Sequence, residues 1–514
     1  MRKRYNKWIA LFSLVSFFSL QGCDNFLDLK PKDVQVVSTI EDYRDLLASY
    51  MRLLTTINPD QLPVLGGSYL YPEFNVALTF AFRTGELEYD KDVDMYYDAS
   101  VGEYKKSAVN QLTWMGTADE SWNRYYSFLG PINMIIDGIT SAKGNDERLR
   151  DYVKGEALVW RAYSYFKLLQ YFSPYDKNEY GVPVYLKPYE DPGNAMPKRE
   201  KQTDVYARIL EDCDEVLELL ARTPTTSWNC AYTPRFVHSM LASVYCYKAL
   251  SGAGEESDWQ NALEHAEEAM EGISFVRDEE TYDAMFNVID QQAFTNDEFH
   301  LRVVDGANSQ IADFSNIYWQ ATMSSTSGIE ATPSDEIYNL YRDDDVRKSV
   351  FFKTSMSIGL GGITTTIQYD KYSISEDMLA SMFGTAAGGV IMFFRSAEVQ
   401  LIKAEALYRL GNTTEAKIAL DEFKQGRYLD VENSYTESDL LDEILKERKL
   451  EFYQELDMWW LDMKRTGTRV ERVVNGTLYV LEPNDYRYCF PIPESEMSVN
   501  KNMVQNPGWD QVNI

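Results

Sequence analysis

Apolar residues fall at helical spacing along most of this 514-residue chain. Val205, Ile209, Cys213, Val216 and Leu220 form one stripe, and Leu149, Tyr152, Val153, Trp160, Tyr163 and Phe166 gather near one face of another. The pattern predicts helices over Asp119 to Ile139 and Asp146 to Phe172. Ser38-Thr-Ile-Glu41 reads as a capping box opening an earlier helix that runs to about Thr56, and Thr203 reads as the cap of the helix carrying the Cys213 stripe. Thr233-Pro234 gives an N-cap with proline at the first helical position, and Gly252 ends that helix. Ser257-Asp-Trp-Gln260 reads as a second capping box, with Gly272 as the stop.

Two helices, 234–251 and 258–271, therefore form an antiparallel hairpin. The pattern returns as Ser396 to Leu410, a Gly411-Asn412 break, and Thr414 to Lys424. Both hairpins resemble tetratricopeptide units, with small residues on the second helix (Ala262, Ala266; Ala416, Ala419). A single helix pair leaves its apolar face uncovered, so several must stack. Between about Thr281 and Phe394, Gly, Ser and Thr rise, helical periodicity fades, and strand-like pieces such as Ile363 to Tyr369 appear. So long an irregular region inside a helical protein is expected to carry recognition. VERVVNGTLYVL, Val470 to Leu481, predicts a β-hairpin turning at Asn475-Gly476. The fold expected is mainly α: a tetratricopeptide-like helical-hairpin scaffold with an irregular, loop-rich recognition region and a few short strands.

The start of the chain adds a location. Arg2, Lys3 and Arg4 precede an apolar run from Trp8 to Leu20, too short to cross a hydrocarbon layer of roughly 30 Å as a helix. Gly22 then precedes Cys23, a layout similar to a bacterial lipoprotein signal, with 1–22 removed and Cys23 carrying the lipid, palmitate included. The remainder is expected to divide into 23–280, helical with the first hairpins, and 281–514, comprising loop-rich 281–394, helical 395–467, and hairpin and tail 468–514. With 80 Asp and Glu against 50 Lys and Arg, the formal charge is −30, which argues against nucleic acid or anionic lipid as the ligand. Cys213, Cys230, Cys246 and Cys489 show no metal spacing; Cys213 lies on an apolar stripe as a buried thiol would.

Five stretches, in order, resemble the RagB/SusD (SusD-like) family of nutrient-binding outer-membrane lipoproteins. They are CDNFLDLKP from Cys23, KGEALVWRAYSYFKLLQYFSPY (Lys154–Tyr175) followed by GVPVYL, FFRSAEVQLIKAEALYRLGN (Phe393–Asn412), LLDEILKERKLEFYQELDMWWLDMKRTG (Leu440–Gly467), and CFPIPESEMSVNKNMVQNPGW (Cys489–Trp509). The resemblance implies a lipid-anchored, outward-facing protein of the outer membrane. It also implies a SusC-type TonB-dependent barrel transporter as partner, to which a glycan, or in some members a peptide, is handed unchanged.

Most of the motif residues read as fold. Glu447, Arg448 and Glu451 are expected to pair along or between helices; Tyr163, Tyr165 and Phe166 belong in the core; Pro491, Pro493 and Pro507 fix an extended tail. Sugar binding needs flat rings against C–H faces and planar polar groups for hydroxyls. Two stretches suit it, Asp94 to Trp114 and Asn308 to Gln320. Tyr96, Tyr97, Trp114, Tyr318 and Trp319 are the candidate rings, and Asn110, Asn316 and Gln320 the candidate polar partners.

No catalytic residue, cofactor or metal is expected. H-E-x-x-H, G-x-S-x-G, P-loop and G-x-G-x-x-G patterns are lacking, and His238, His265 and His300 show no ligand spacing. Asp90, Asp92 and Asp94 alternate like a calcium loop, but Met95 and Val101 occupy the places of its Gly and Glu, so a solvated acidic turn is expected. Arg342-Asp-Asp-Asp-Val-Arg347 reads as a loop that pairs internally. Three alternatives stay open: the same role with peptides as ligand, a glycoside hydrolase working through two carboxylates, and a scaffold that only holds partner proteins.

Overall fold

The computed structural model describes residues 37–50, 80–89, 109–175, 179–187, 196–223, 232–286, 301–304, 331–359, 362–369, 371, 390–453, 455 and 457–512. Its helices are α1 (Ile40–Tyr50), α2 (Asp119–Ile139), α3 (Glu147–Phe172), α4 (Gln202–Arg222), α5 (Pro234–Ala249), α6 (Asp258–Met270), α7 (Glu279–Ala284), α8 (Asp335–Leu340), α9 (Val346–Phe351), α10 (Ser396–Arg409), α11 (Thr413–Gln425), α12 (Leu440–Glu451), α13 (Met458–Thr466) and α14 (Glu494–Val499). Among the described residues, eight short strands form four antiparallel pairs: β1 (Leu87–Tyr89) with β3 (Ala331–Pro333), β2 (Leu301–Val304) with β6 (Val390–Phe393), β4 (Phe352–Gly359) with β5 (Gly362–Tyr369), and β7 (Val470–Val474) with β8 (Thr477–Leu481).

The helices pack in succession, α2 on α3, α3 on α4, α4 on α5, α5 on α6, then α6 across to α10, which carries α11 and α12. This is the stacked-hairpin scaffold expected from the Ala-rich helices. Ala242, Ala262, Ala266, Ala397, Ala404, Ala416 and Ala419 are buried in one cluster, and small side chains there let neighbouring helices approach closely. α3 is enclosed on nearly every side from Val153 to Phe172, with Tyr163, Tyr165 and Phe166 in the core. Trp160 Nε1 donates to Glu156 (3.0 Å), and Arg161 donates to both oxygens of Asp212 (2.7 and 2.6 Å). Cys213 is a buried free thiol, as its stripe implied.

The hairpin turn is as read. Asn475 and Gly476 have φ of 50° and 77°, the pair of positive values a two-residue turn matching strand twist requires, and Val474 faces Thr477. Two helix starts differ from expectation. Thr39, one residue on from Ser38, makes the reciprocal cap: Asp42 N–H donates to Thr39 Oγ1 (3.1 Å) and Thr39 N–H to Asp42 (2.9 Å). Thr203 is exposed and caps nothing; α4 begins at Gln202, because Gln202 N–H bonds Glu179 O (2.9 Å) and turns the chain there. α6 starts after Ser257 as read, but Ser257 makes no side-chain cap bond; Asp258 takes the turn instead, accepting from Glu255 N–H (2.7 Å) and Lys248 Nζ (2.8 Å). α5 closes at Ala249, short of Gly252.

The loop-rich region is fastened to the scaffold by buried charge. Glu451, at the end of α12, accepts from Arg395 Nη1 (2.8 Å), from Arg427 Nε and Nη2 (2.9 and 3.0 Å), and from Tyr282 of α7 (3.1 Å). Arg347 of α9 donates to Asp345 (2.8 Å) and Glu447 (2.7 Å), and Lys371 to Glu455 (2.6 Å). The acidic run 342–347 thus pairs internally as expected, but Arg347 and Asp345 are also core residues. Glu447 and Glu451 reach across helices rather than pairing along their own, and Arg448 binds Asp462 (2.7 Å).

Removing one partner strands buried charge, so Glu451→Gln is expected to cost about 3–5 kcal/mol, read as a fall in the urea midpoint. Burial raises the Glu451 carboxyl, but Arg427 and Arg395 outweigh it and hold it well below its ordinary 4.5. A group depressed in the folded state stabilises fully above its unfolded value and loses that contribution as pH falls through the folded one. The gap between the natural chain and the variant should therefore be full at neutral pH and narrow below about 4.5.

Candidate functional site

A cleft of about 600 Å³ opens between α8, the α12–α13 corner and the β7–β8 hairpin. Trp459, Lys449 and Glu336 stand on its walls, with Gly85 and Arg472 at its base. Trp459 and Trp460 are adjacent on α13, so their rings point about 100° apart; Trp460 is fully buried while Trp459 is half-exposed toward the cleft. Lys449 Nζ lies 4.0 Å from the Trp459 ring centroid and 4.0 Å from Glu336. Burial lowers the Lys449 ammonium, with Glu336 opposing. Aromatic, cation and carboxylate thus share one wall, a chemistry suited to a polyhydroxylated ligand with apolar faces.

β1 ends at Tyr89 and β3 begins at Ala331, and these two residues are ladder partners. The stretch after Tyr89 rejoins the described chain at Val109, and Val109, Leu112 and Ser334 line the cleft. The chain before the first ring-rich stretch and the chain after the second are therefore paired next to residues that line the cleft. Tyr96, Tyr97, Asn316, Tyr318, Trp319 and Gln320 lie outside the described residues, as do Asp90, Asp92 and Asp94. Asn110 is exposed.

Trp114 is a correction. Its ring is fully enclosed, with Nε1–H donating to Arg83 O (2.9 Å), Arg472 5.0 Å and Arg487 5.6 Å from its centroid. The ring is sandwiched as a packing element and offers no face to a ligand. Arg472 reaches past Gly85, where a Cβ would stand 2.8 Å from its Nη2, and donates to Phe82 O (2.8 Å) and Leu112 O (2.9 Å). Burial alone pushes Arg472 down to about 10. It pins the hairpin to the floor of the cleft. Among the described residues no three of His, Cys, Asp and Glu converge on a metal-sized centre, and no helix is long and apolar enough to cross a membrane.

Residues 353–509 match the model of the SusD family, and residues 25–246 match a second model described as starch-binding, associating with the outer membrane. The chain belongs to the SusD/RagB family. SusD-like protein P2 of Formosa agariphila is 24% identical over 79% of this chain and 84% of its own length. The starch-binding protein SusD of Bacteroides thetaiotaomicron is 30% identical over 34% of each chain. A crystal structure of a SusD superfamily protein from Bacteroides thetaiotaomicron superposes with a TM-score of 0.67 at 20% identity, covering 91% of this chain and all of that one. The stacked-hairpin architecture of this SusD-like chain is thus that of its superfamily, a family of binding proteins associated with the outer membrane.

Sequence reasoning missed Trp459, Lys449 and Glu336. Trp459 sat inside a family motif and read as fold; the only available signal was two adjacent tryptophans, which cannot share one helix face. The placement of Trp114 gives a direct check. Trp114→Ala is expected to lower stability by about 3–5 kcal/mol in urea unfolding, whereas Trp459→Ala, at a half-exposed position, should shift it by about 1 kcal/mol or less.

Proposed function

We propose that this SusD-like chain is a cell-surface lipoprotein that captures an oligosaccharide in the cleft beside Trp459 and delivers it unchanged to a SusC-type TonB-dependent transporter. The observation that supports this reading is the β1–β3 ladder, which pairs the chain before the first ring-rich stretch with the chain after the second, next to residues that line the cleft. On this reading Tyr96, Tyr97, Tyr318 and Trp319 supply further ring faces, and Asn110, Asn316 and Gln320 satisfy hydroxyls. Trp459 forms the fixed wall. A sugar ring stacked there gains from burial of its C–H face while Lys449 and Glu336 answer its hydroxyls.

The anchor in this reading is Cys23, lipidated after removal of 1–22, holding the body on the outer face of the outer membrane. No reaction is assigned to the site. The acidic surface leaves a cationic peptide as the second ligand class, because Glu336 and Glu471 both face the cleft.

Calorimetric titration against a glycan panel and a peptide pool tests the ligand class. A glycan should bind, and Trp319→Ala and Trp459→Ala should each weaken it by roughly tenfold or more. Binding only from the peptide pool would transfer the site to peptides, and release of reducing sugar from a bound glycan would make the protein a hydrolase. Separately, Cys23→Ala should move the protein out of the membrane fraction; retention there would remove the anchor.

A further inference from the structure

Five charged side chains line the Trp459 cleft: the cations Lys449, Arg469 and Arg472 and the carboxylates Glu336 and Glu471. They are unevenly paired. Arg469 donates to Glu471 (2.7 Å) and to Glu482 (3.1 Å), and all three side chains are about half-exposed, so water screens them. Arg472 spends its protons on the main-chain carbonyls of Phe82, Leu112 and Arg83 (2.8, 2.9 and 3.1 Å). Burial alone lowers Arg472, with no carboxylate opposing, so its charge goes unanswered by an acid.

Lys449 is the cation left over. Its side chain is only 21% exposed, yet among the described residues its ammonium donates no hydrogen bond. The carboxylate paired with it is Glu336, at 4.0 Å, which is beyond hydrogen-bond reach, and Glu336 is itself 82% exposed. Such a pair is weak and easily parted. The Trp459 ring, 4.0 Å away, attracts the ammonium but supplies no acceptor oxygen. An ammonium drawn this far out of water, in a cleft open to solvent, is poised to take a charged oxygen from a ligand.

We infer that the Trp459 cleft selects saccharides carrying an anionic substituent, a uronate carboxylate or a sulfate ester, which binds the Lys449 ammonium beside the indole ring; this selectivity rests on the glycan-capture reading above and narrows it. Glu336 swings out to solvent as the anion arrives, and Arg472 adds its charge from the floor of the cleft. The formal −30 of the whole chain does not forbid such a ligand. Charges farther off than a Debye length of about 8 Å are screened, whereas Lys449 meets its anion at contact distance. A charge-assisted bond of this kind is about twice as strong as the bond a neutral hydroxyl makes in the same place.

The test titrates the full chain calorimetrically with matched oligosaccharides: uronate-bearing ones against their carboxyl-reduced counterparts, and sulfated ones against their desulfated counterparts. An anionic member should bind about tenfold more tightly than its neutral counterpart, and the set in which it does so names the substituent. Lys449→Met, which keeps the apolar stem, should abolish that preference by weakening the anionic member far more than the neutral one, whereas Lys449→Arg should retain it. Glu336→Gln should widen it. Neutral members binding as tightly as anionic ones, or a preference that survives Lys449→Met, overturns the selectivity and leaves glycan capture standing. Binding of no member overturns glycan capture and the selectivity with it. Circular dichroism establishes that the variants are folded; should Lys449→Met not fold, the matched pairs on the natural chain decide.

Discussion

The whole arrangement hangs on one buried carboxylate. Glu451 closes α12 and lies between the guanidinium groups of Arg395, which leads into α10, and Arg427, which follows α11. Tyr282, from α7, completes the ring of donors. Taking such charges out of water costs several kcal/mol per ion, and only near-ideal geometry with the remaining protons satisfied repays it. Here the repayment comes from three separate segments converging on one point. The result is specificity of docking more than net stability: the loop-rich region has one position on the helical stack in which no charge is left alone.

From that joint the cleft follows. Arg347 and Lys371 extend the same network, Lys371 binding the carbonyls of Glu451 (3.0 Å) and Tyr453 (3.1 Å) as well as Glu455. The corner from α12 to α13 is thereby held, and Trp459 with it. On the opposite side a second set of cations works through main-chain carbonyls. Arg83 donates to Gly116 O (2.7 Å) and Arg472 to Phe82 O, and Trp114 lies against Arg472 and Arg487.

The helical stack is built on different physics. Alanines at the α5–α6–α10–α11 contacts bring helix axes close, and the apolar face of each hairpin is covered by the next. Gln400 enters this core with a partner, donating to Ala419 O (2.8 Å). The His238–His265 pair sits at the edge of the same seam, where two half-buried imidazoles answer each other.

Helices, their order, the hairpin repeats and the Asn475-Gly476 turn were determined by the sequence itself, because periodicity and turn chemistry act over a few residues. The family resemblance was equally legible, since its motifs are contiguous. Caps were misplaced by one or two residues at Ser38 and Thr203, and the side chain of Ser257 makes no cap bond, because a neighbouring carboxylate or a main-chain bond to Glu179 won the competition. Trp114 carried the composition of a ligand ring, yet three arginines from far along the chain enclose it; Trp459 looked like core and lies at the cleft. Burial of a single ring, the meeting of two histidines 27 residues apart, and the convergence of Tyr282, Arg395 and Arg427 on Glu451 were decided only by tertiary packing. Each depends on which segments come together in space, and no local pattern encodes that.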